Sequence, residues 1–210
     1  MKHAVKVIET DSEQYPKLLK GSAFGRLYSM GNFDIMQQPL LGFFCATRCP
    51  GDVILRTYDL AKALRKERMA VISGFHTPVE KDCRDILLKG NQAVVICPAR
   101  GIVNMRLPKD LADPLDTGRL LILSPFGEGC KSPTTVLAAR RNLFVAHLSQ
   151  SILIAYAPPE SKTEQLGLEC LRQAKRVYLY DVRVNERLLQ VGGIKLALDD
   201  IKSAMVHEQT

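Results

Sequence analysis

Six short runs, apolar at nearly every position, recur along the chain: Leu40–Ala46, Met69–Ser73, Ala93–Cys97, Leu120–Ser124, Ser151–Ala155 and Arg176–Tyr180. A strand wetted on one face alternates apolar and polar residues, whereas continuous apolar character signals burial on both faces, as in a parallel sheet between helices. The intervening segments carry helical spacing. Pro50–Arg68 gathers Val53, Leu60, Ala61 and Leu64 on one side, Val79–Leu88 gathers Cys83, Ile86 and Leu87, and Thr134–Leu148 gathers Val136, Leu137, Leu143, Phe144 and Leu148. Strand and helix in alternation predict a doubly wound α/β domain with a mostly parallel sheet over about residues 38–182. Residues 1–37 read as an irregular N-terminal arm packing on a core domain, 38–210, that ends in an amphipathic helix over Ile194–Val206.

Composition narrows the class. With 210 residues, 46% hydrophobic and 24% charged, the chain can bury a substantial core, which argues against wholesale disorder. No stretch reaches the roughly 18 to 20 apolar residues of a membrane span, and the N-terminus lacks a signal peptide's apolar core, so a cytoplasmic protein is expected. Six cysteines, at 45, 49, 83, 97, 130 and 170, are too dispersed for a zinc ribbon or a redox pair and read as thiols. The four histidines show no metal-ligand spacing, and neither metal nor cofactor is expected. The formal charge is +7, and residues 41–110 hold 12 Lys/Arg against 7 Asp/Glu. A basic surplus favours a polyanionic partner, although many enzymes share it.

In doubly wound folds, ligands bind outside the carboxyl ends of the strands, which directs attention to the connections there. Neither Gly-x-Gly-x-x-Gly nor a P-loop occurs, which disfavours a standard dehydrogenase or P-loop NTPase. After the first apolar run comes Cys45-Ala46-Thr47-Arg48-Cys49-Pro50-Gly51-Asp52, where N–H groups at a helix start and Arg48 suit an anion. The same residues equally fit a helix cap with Arg48 in water. After the second run, Gly74 permits close approach, Ser73, His76 and Thr77 offer hydrogen bonds, and Phe75 is placed either to stack a base or to enter the core. Arg140-Arg141-Asn142 interrupts an apolar helix, and a cation there asks for an anionic partner, either from the protein or from a ligand. Ser161-Lys162-Thr163 opens another helix. No nucleophile with an assignable base emerges, so no catalytic residue is named.

In order, these segments resemble the DNA-processing protein A (DprA, or Smf) family over about residues 13–197. The resemblance rests on Tyr15-Pro16 and Leu27-Tyr28-x-x-Gly31, on Thr47-Arg48 where the family has Gly-Ser-Arg, and on Val71-Ile72-Ser73-Gly74-Phe75 where it has Val-Val-Ser-Gly-Leu. It continues with Leu87-Leu88-Lys89-Gly90, with Arg141-Asn142 and Ala146-x-Leu148-Ser149, and with Asn185-x-x-Leu188-Leu189-x-x-Gly192-Gly193. The departures fall in the pocket. His76-Thr77-Pro78-Val79-Glu80 replaces Ala-x-Gly-Ile-Asp, and the Arg-Asn-Arg triplet is shifted to Arg140-Arg141-Asn142-Leu143. The Pro-Gly-Gly-x-Gly-Thr-x-x-Glu motif of the related cytokinin-nucleotide hydrolases is missing.

The resemblance implies a Rossmann-like core without catalysis of its own that binds single-stranded DNA during uptake and recombination, with a RecA-type recombinase as a further partner and a homodimer as the assembly. On this reading Thr47, Arg48, Ser73, Gly74, Phe75, His76, Arg140, Arg141, Asn142, Ser161 and Lys162 hold the nucleic acid, the cations neutralising phosphates and Phe75 stacking a base. The alternative ligand is a small nucleotide, sensed or processed by the same turns, and the third alternative is an interaction scaffold.

Overall fold

The computed structural model describes residues 4–67 and 69–197. In chain order the elements are β1 (Lys6–Ile8), β2 (Leu27–Gly31), β3 (Leu40–Phe44), α1 (Gly51–Leu64), β4 (Ala70–Ser73), α2 (Pro78–Leu88), β5 (Val94–Ile96), α3 (Ala112–Asp116), β6 (Leu120–Ser124), α4 (Thr135–Leu148), β7 (Ser151–Ile154), α5 (Lys162–Arg172), β8 (Arg176–Leu179), α6 (Glu186–Gln190) and β9 (Ile194–Lys195). All six apolar runs form strands. Every residue of β3, β4, β5, β6 and β7 is buried, as two-sided covering requires.

The nine strands form one sheet in the order β1-β2-β6-β5-β4-β3-β7-β8-β9. From β6 through β9 every pairing is parallel. The chain starts its parallel section at β3, builds outward through β4, β5 and β6, then returns to β3's other side with β7. β3 therefore pairs with both β4 and β7, and the crevice at its carboxyl end is the topological switch point.

Two cores sandwich the sheet. Val53, Leu60 and Leu64 of α1 and Val79, Cys83 and Leu87 of α2 cover one face, against Leu41, Phe43 and Val71. Phe144, Val145 and Leu148 of α4, with Leu166 and Cys170 of α5, cover the other, against Leu40, Phe44, Ile152 and Ile154. Tyr15, Leu19 and Phe24 from the N-terminal stretch join the second core.

The ends differ from the sequence reading. The N-terminal stretch is not wholly irregular: β2 pairs antiparallel with β6, and β1 with β2, so two strands extend the sheet at that edge. A three-residue strand with two exposed positions carries no periodic signal. At the other end, Ile194 and Lys195 pair with β8 as a short parallel strand, so the expected helix does not begin at Ile194. The remainder of that expected helix, from 198 onward, lies outside the described residues. The first helix stops at Leu64 rather than running to Arg68.

Candidate functional site

A cleft of about 620 Å³ opens where β3 and β4 end, bounded by α2, α4 and α5. Thr47, His76, Thr77, Glu80, Arg141, Asn142, Lys162 and Thr163 are among its polar groups, with the Glu169 carboxylate on the α5 side, and Ala138, Leu143 and Leu166 are among its apolar ones. Its position follows from the strand order, because the crossovers on either side of β3 diverge there and leave space between them.

Arg141 forms the floor. Only 4% exposed, it donates from Nη1 to the Cys97 carbonyl at 2.9 Å and from Nε to Asn142 Oδ1 at 2.7 Å. Its guanidinium lies across Gly74, where a Cβ would stand 1.3 Å from Nη1. A side chain at residue 74 and this arginine exclude each other. Nη2 makes no hydrogen bond among the described residues, so a buried cation lining the cleft keeps donors unspent there. Burial lowers the Arg141 pKa, and Glu80 opposes that shift through space. No hydrogen bond joins the two. Confining a cation without a contacting carboxylate costs several kcal/mol, which an anion in the cleft would offset.

Glu80 organises the turns around that floor. It is 5% exposed; its Oε1 accepts the Cys45 N–H at 3.0 Å and its Oε2 accepts those of His76 at 2.8 Å and Thr77 at 3.2 Å. Thr77 returns the favour, its Oγ1 accepting the Glu80 N–H, which completes a capping box on α2. One carboxylate thus ties the end of β3 to the turn after β4. Burial raises the Glu80 pKa, and its three N–H partners and the Arg141 charge pull the other way.

The expected site residues separate into groups. Thr47, His76, Arg141, Asn142 and Lys162 line the cleft. Arg48 is exposed beside Thr47 in the same turn, without a side-chain partner among the described residues. Gly74 carries the guanidinium. Ser73 is fully buried and accepts the Phe75 N–H, and Ser161 caps α5 by accepting the Glu164 N–H, so both hydroxyls serve their own turns. Two residues lie elsewhere. Phe75, expected to offer its ring to a base, has φ 45° and turns into the core with 4% exposure. Arg140 points to the N-terminal stretch, where it donates to the Ala23 carbonyl at 3.2 Å and sits 5.8 Å from the Phe24 ring centroid. Adjacent helical residues diverge by about 100°, so only one of the two arginines can face the cleft.

The sequence reading set Glu80 among the departures in the pocket but gave it no role, although Thr77-x-x-Glu80 is a readable capping-box signature. The Cys97 carbonyl carried no signal, because only the fold brings α4 over β5. The cysteines are all thiols; burial raises Cys45 and Cys49, and it pushes Cys83 and Cys97 up to about 12. Among the described residues, no cluster of three or more His, Cys, Asp or Glu is arranged to hold a metal ion, and no helix is long and apolar enough to cross a membrane.

The sequence pattern of DNA recombination-mediator protein A matches residues 6–206. The chain belongs to the DNA recombination-mediator protein A family. Among solved structures, the DNA processing protein A of Streptococcus pneumoniae superposes with a TM-score of 0.80 at 17% identity, covering 98% of this chain and 75% of that one. The Helicobacter pylori DNA processing protein A, described with a unique single-stranded DNA binding mode, gives 0.78 at 17% identity, covering 99% and 98%. The molybdenum cofactor binding protein of Rippkaea orientalis is similar at 0.56 and 12% identity, covering 82% and 98%. At these identities the structural likeness shows the fold alone. No curated protein matches the sequence. Within the matched residues, Arg141 of α4 lies over the Ser73-Gly74 turn and Glu80 of α2 holds the neighbouring turns.

Proposed function

We propose that this member of the family binds single-stranded DNA and performs no chemistry on it. A backbone phosphate enters the cleft at the carboxyl end of β3 and meets the unspent Nη2 of Arg141, with Lys162 at the start of α5 and Arg48 above the β3 turn adding charge. The observation that carries this reading is the buried Arg141 guanidinium, held over Gly74 by its Nη1 and Nε bonds while Nη2 has no partner among the described residues. Apolar Leu143 and Leu166 offer contact to sugar or base. Family membership supports the same ligand and supports delivery of the strand to a RecA-type recombinase by a homodimer.

The test is a fluorescence-anisotropy titration with an unstructured oligothymidylate across a salt series. Binding that weakens steeply with salt and is lost in Arg141→Ala, with Arg48→Ala weakened, is the expected result. No binding at low salt, or binding indifferent to both substitutions, overturns the reading. Saturable thermal stabilisation by one free nucleotide without oligonucleotide binding would move the assignment to a nucleotide sensor or a nucleotide-processing enzyme.

A further inference from the structure

Several arginines in the connections leaving the strand carboxyl ends have no side-chain partner among the described residues, although Arg26 pairs with Glu9 and Arg187 with Glu164 at that edge. Near the strand amino ends, Arg65 donates to the Lys89 carbonyl, Arg119 to the Leu88 carbonyl and Arg172 to Glu169. By contrast Arg48, Arg100, Arg106 and Arg183, all in connections leaving carboxyl ends, make no side-chain hydrogen bond or ion pair among the described residues. Two of these four, Arg100 and Arg106, lie away from the cleft, in the connection after β5.

That connection is fastened to its neighbour. The Ser124 hydroxyl donates to the Arg100 carbonyl at 2.8 Å, and the Gly101 N–H donates to the Cys130 carbonyl at 2.8 Å. A Cβ at Gly101 would stand 2.4 Å from the Gly127 carbonyl oxygen, so only glycine lets the β5–α3 and β6–α4 connections meet this closely. Arg100 and Lys131 each adjoin one partner of the Gly101–Cys130 bond, so this backbone link brings their chain positions into neighbouring turns. Met105 and Leu107 pack on the core, which turns the intervening Arg106 outward. Residues 97–107 and 125–134 hold these three cations against a single acid, Glu128.

We infer that this platform is a second phosphodiester-binding surface, over which a single strand continues after leaving the cleft. The inference rests on the proposed single-stranded DNA reading and extends it. β5 and β6 stand two and three strands from β3, which at about 4.8 Å per strand puts the platform roughly 10 to 15 Å away along the same sheet edge. A short oligomer fills the cleft alone, and a longer one spans both surfaces.

Oligothymidylates of about 4 and about 16 nucleotides separate the two surfaces. The longer one is expected to bind with the steeper salt dependence. Joint replacement Arg100→Gln, Arg106→Gln and Lys131→Gln should flatten the long oligomer's log–log salt slope by about 2, at roughly 0.7 per phosphate contact, and leave the short oligomer unchanged. Lys66→Gln with Lys89→Gln, exposed lysines at the opposite edge, should alter neither. The platform is overturned if the triple variant binds the long oligomer like the parent, weakens both oligomers equally, or does no more than the Lys66/Lys89 control. A short oligomer that fails to bind while the long one binds through the platform overturns the cleft reading and leaves the platform standing. Failure of both oligomers overturns both.

Discussion

Arg141 lies across Gly74 so closely that a Cβ on the glycine would stand 1.3 Å from Nη1. Gly74→Ala must therefore expel the guanidinium from its contact with the Cys97 carbonyl. The expected cost is about 1–3 kcal/mol of stability from overpacking, with oligonucleotide affinity reduced about tenfold or more, equivalent to ~1.4 kcal/mol. Urea unfolding and anisotropy titration measure the two effects, and parental affinity in a folded Gly74→Ala variant would remove Arg141 from the site.

The neighbouring arginines should respond in opposite ways. Arg140→Ala loosens the Ala23 and Phe24 contacts, costs about 1 kcal/mol or less because the side chain is exposed, and leaves DNA affinity near parental. Hydrogen exchange should quicken over residues 23–31. Arg141→Ala leaves that exchange unaltered and abolishes binding. An Arg140→Ala defect in binding as large as that of Arg141→Ala would contradict the geometry.

Stability should carry a pH signature of Glu80. Burial holds its carboxyl above the ordinary 4.5, so the folded chain binds that proton more tightly than the unfolded chain. The associated stability is fully present below the unfolded-state value and is lost as pH rises through the folded-state value. Glu80→Gln replaces an acceptor of three N–H groups and destabilises by about 1–3 kcal/mol, but it removes this slope. The variant's deficit relative to the parent should shrink as pH is raised, as urea midpoints across a pH series would show. A deficit growing with pH would mean that the N–H groups and Arg141 outweigh burial.

Deleting residues 1–31 should do more than trim an arm. β2 pairs with β6 through Tyr28, Ser29, Met30 and Gly31, so its loss bares a buried apolar strand as a sheet edge. Exposed edges of this kind pair between molecules. Size-exclusion chromatography should find the truncated chain aggregated, and a monodisperse, cooperatively folding product would refute that expectation.

Much of the fold was legible because β3 through β7, and β8 beyond Arg176, are buried on both faces and so write burial directly into residue type. β1 and β9 were not, since two exposed positions in β1 and two in β9 leave nothing periodic to read. In the site, Thr47, His76, Arg141, Asn142 and Lys162 were named from local chemistry and do share the cleft. Phase was beyond that reach. Which of Arg140 and Arg141 faces inward depends on how α4 rotates against the sheet, and Phe75 enters the core because its φ of 45° redirects the side chain.

By itself, the sequence determined the layered parallel sheet, the helix starts along its carboxyl edge and the family motifs, because these depend on residue type and short spacing. Only the tertiary structure decided that Glu80 ties two turns together, that Arg141 rests on Gly74 and bonds Cys97, and that Gly101 is fastened to Cys130. Each of those contacts joins residues distant in the chain, and what fixes them is the packing of one element against another rather than any local preference.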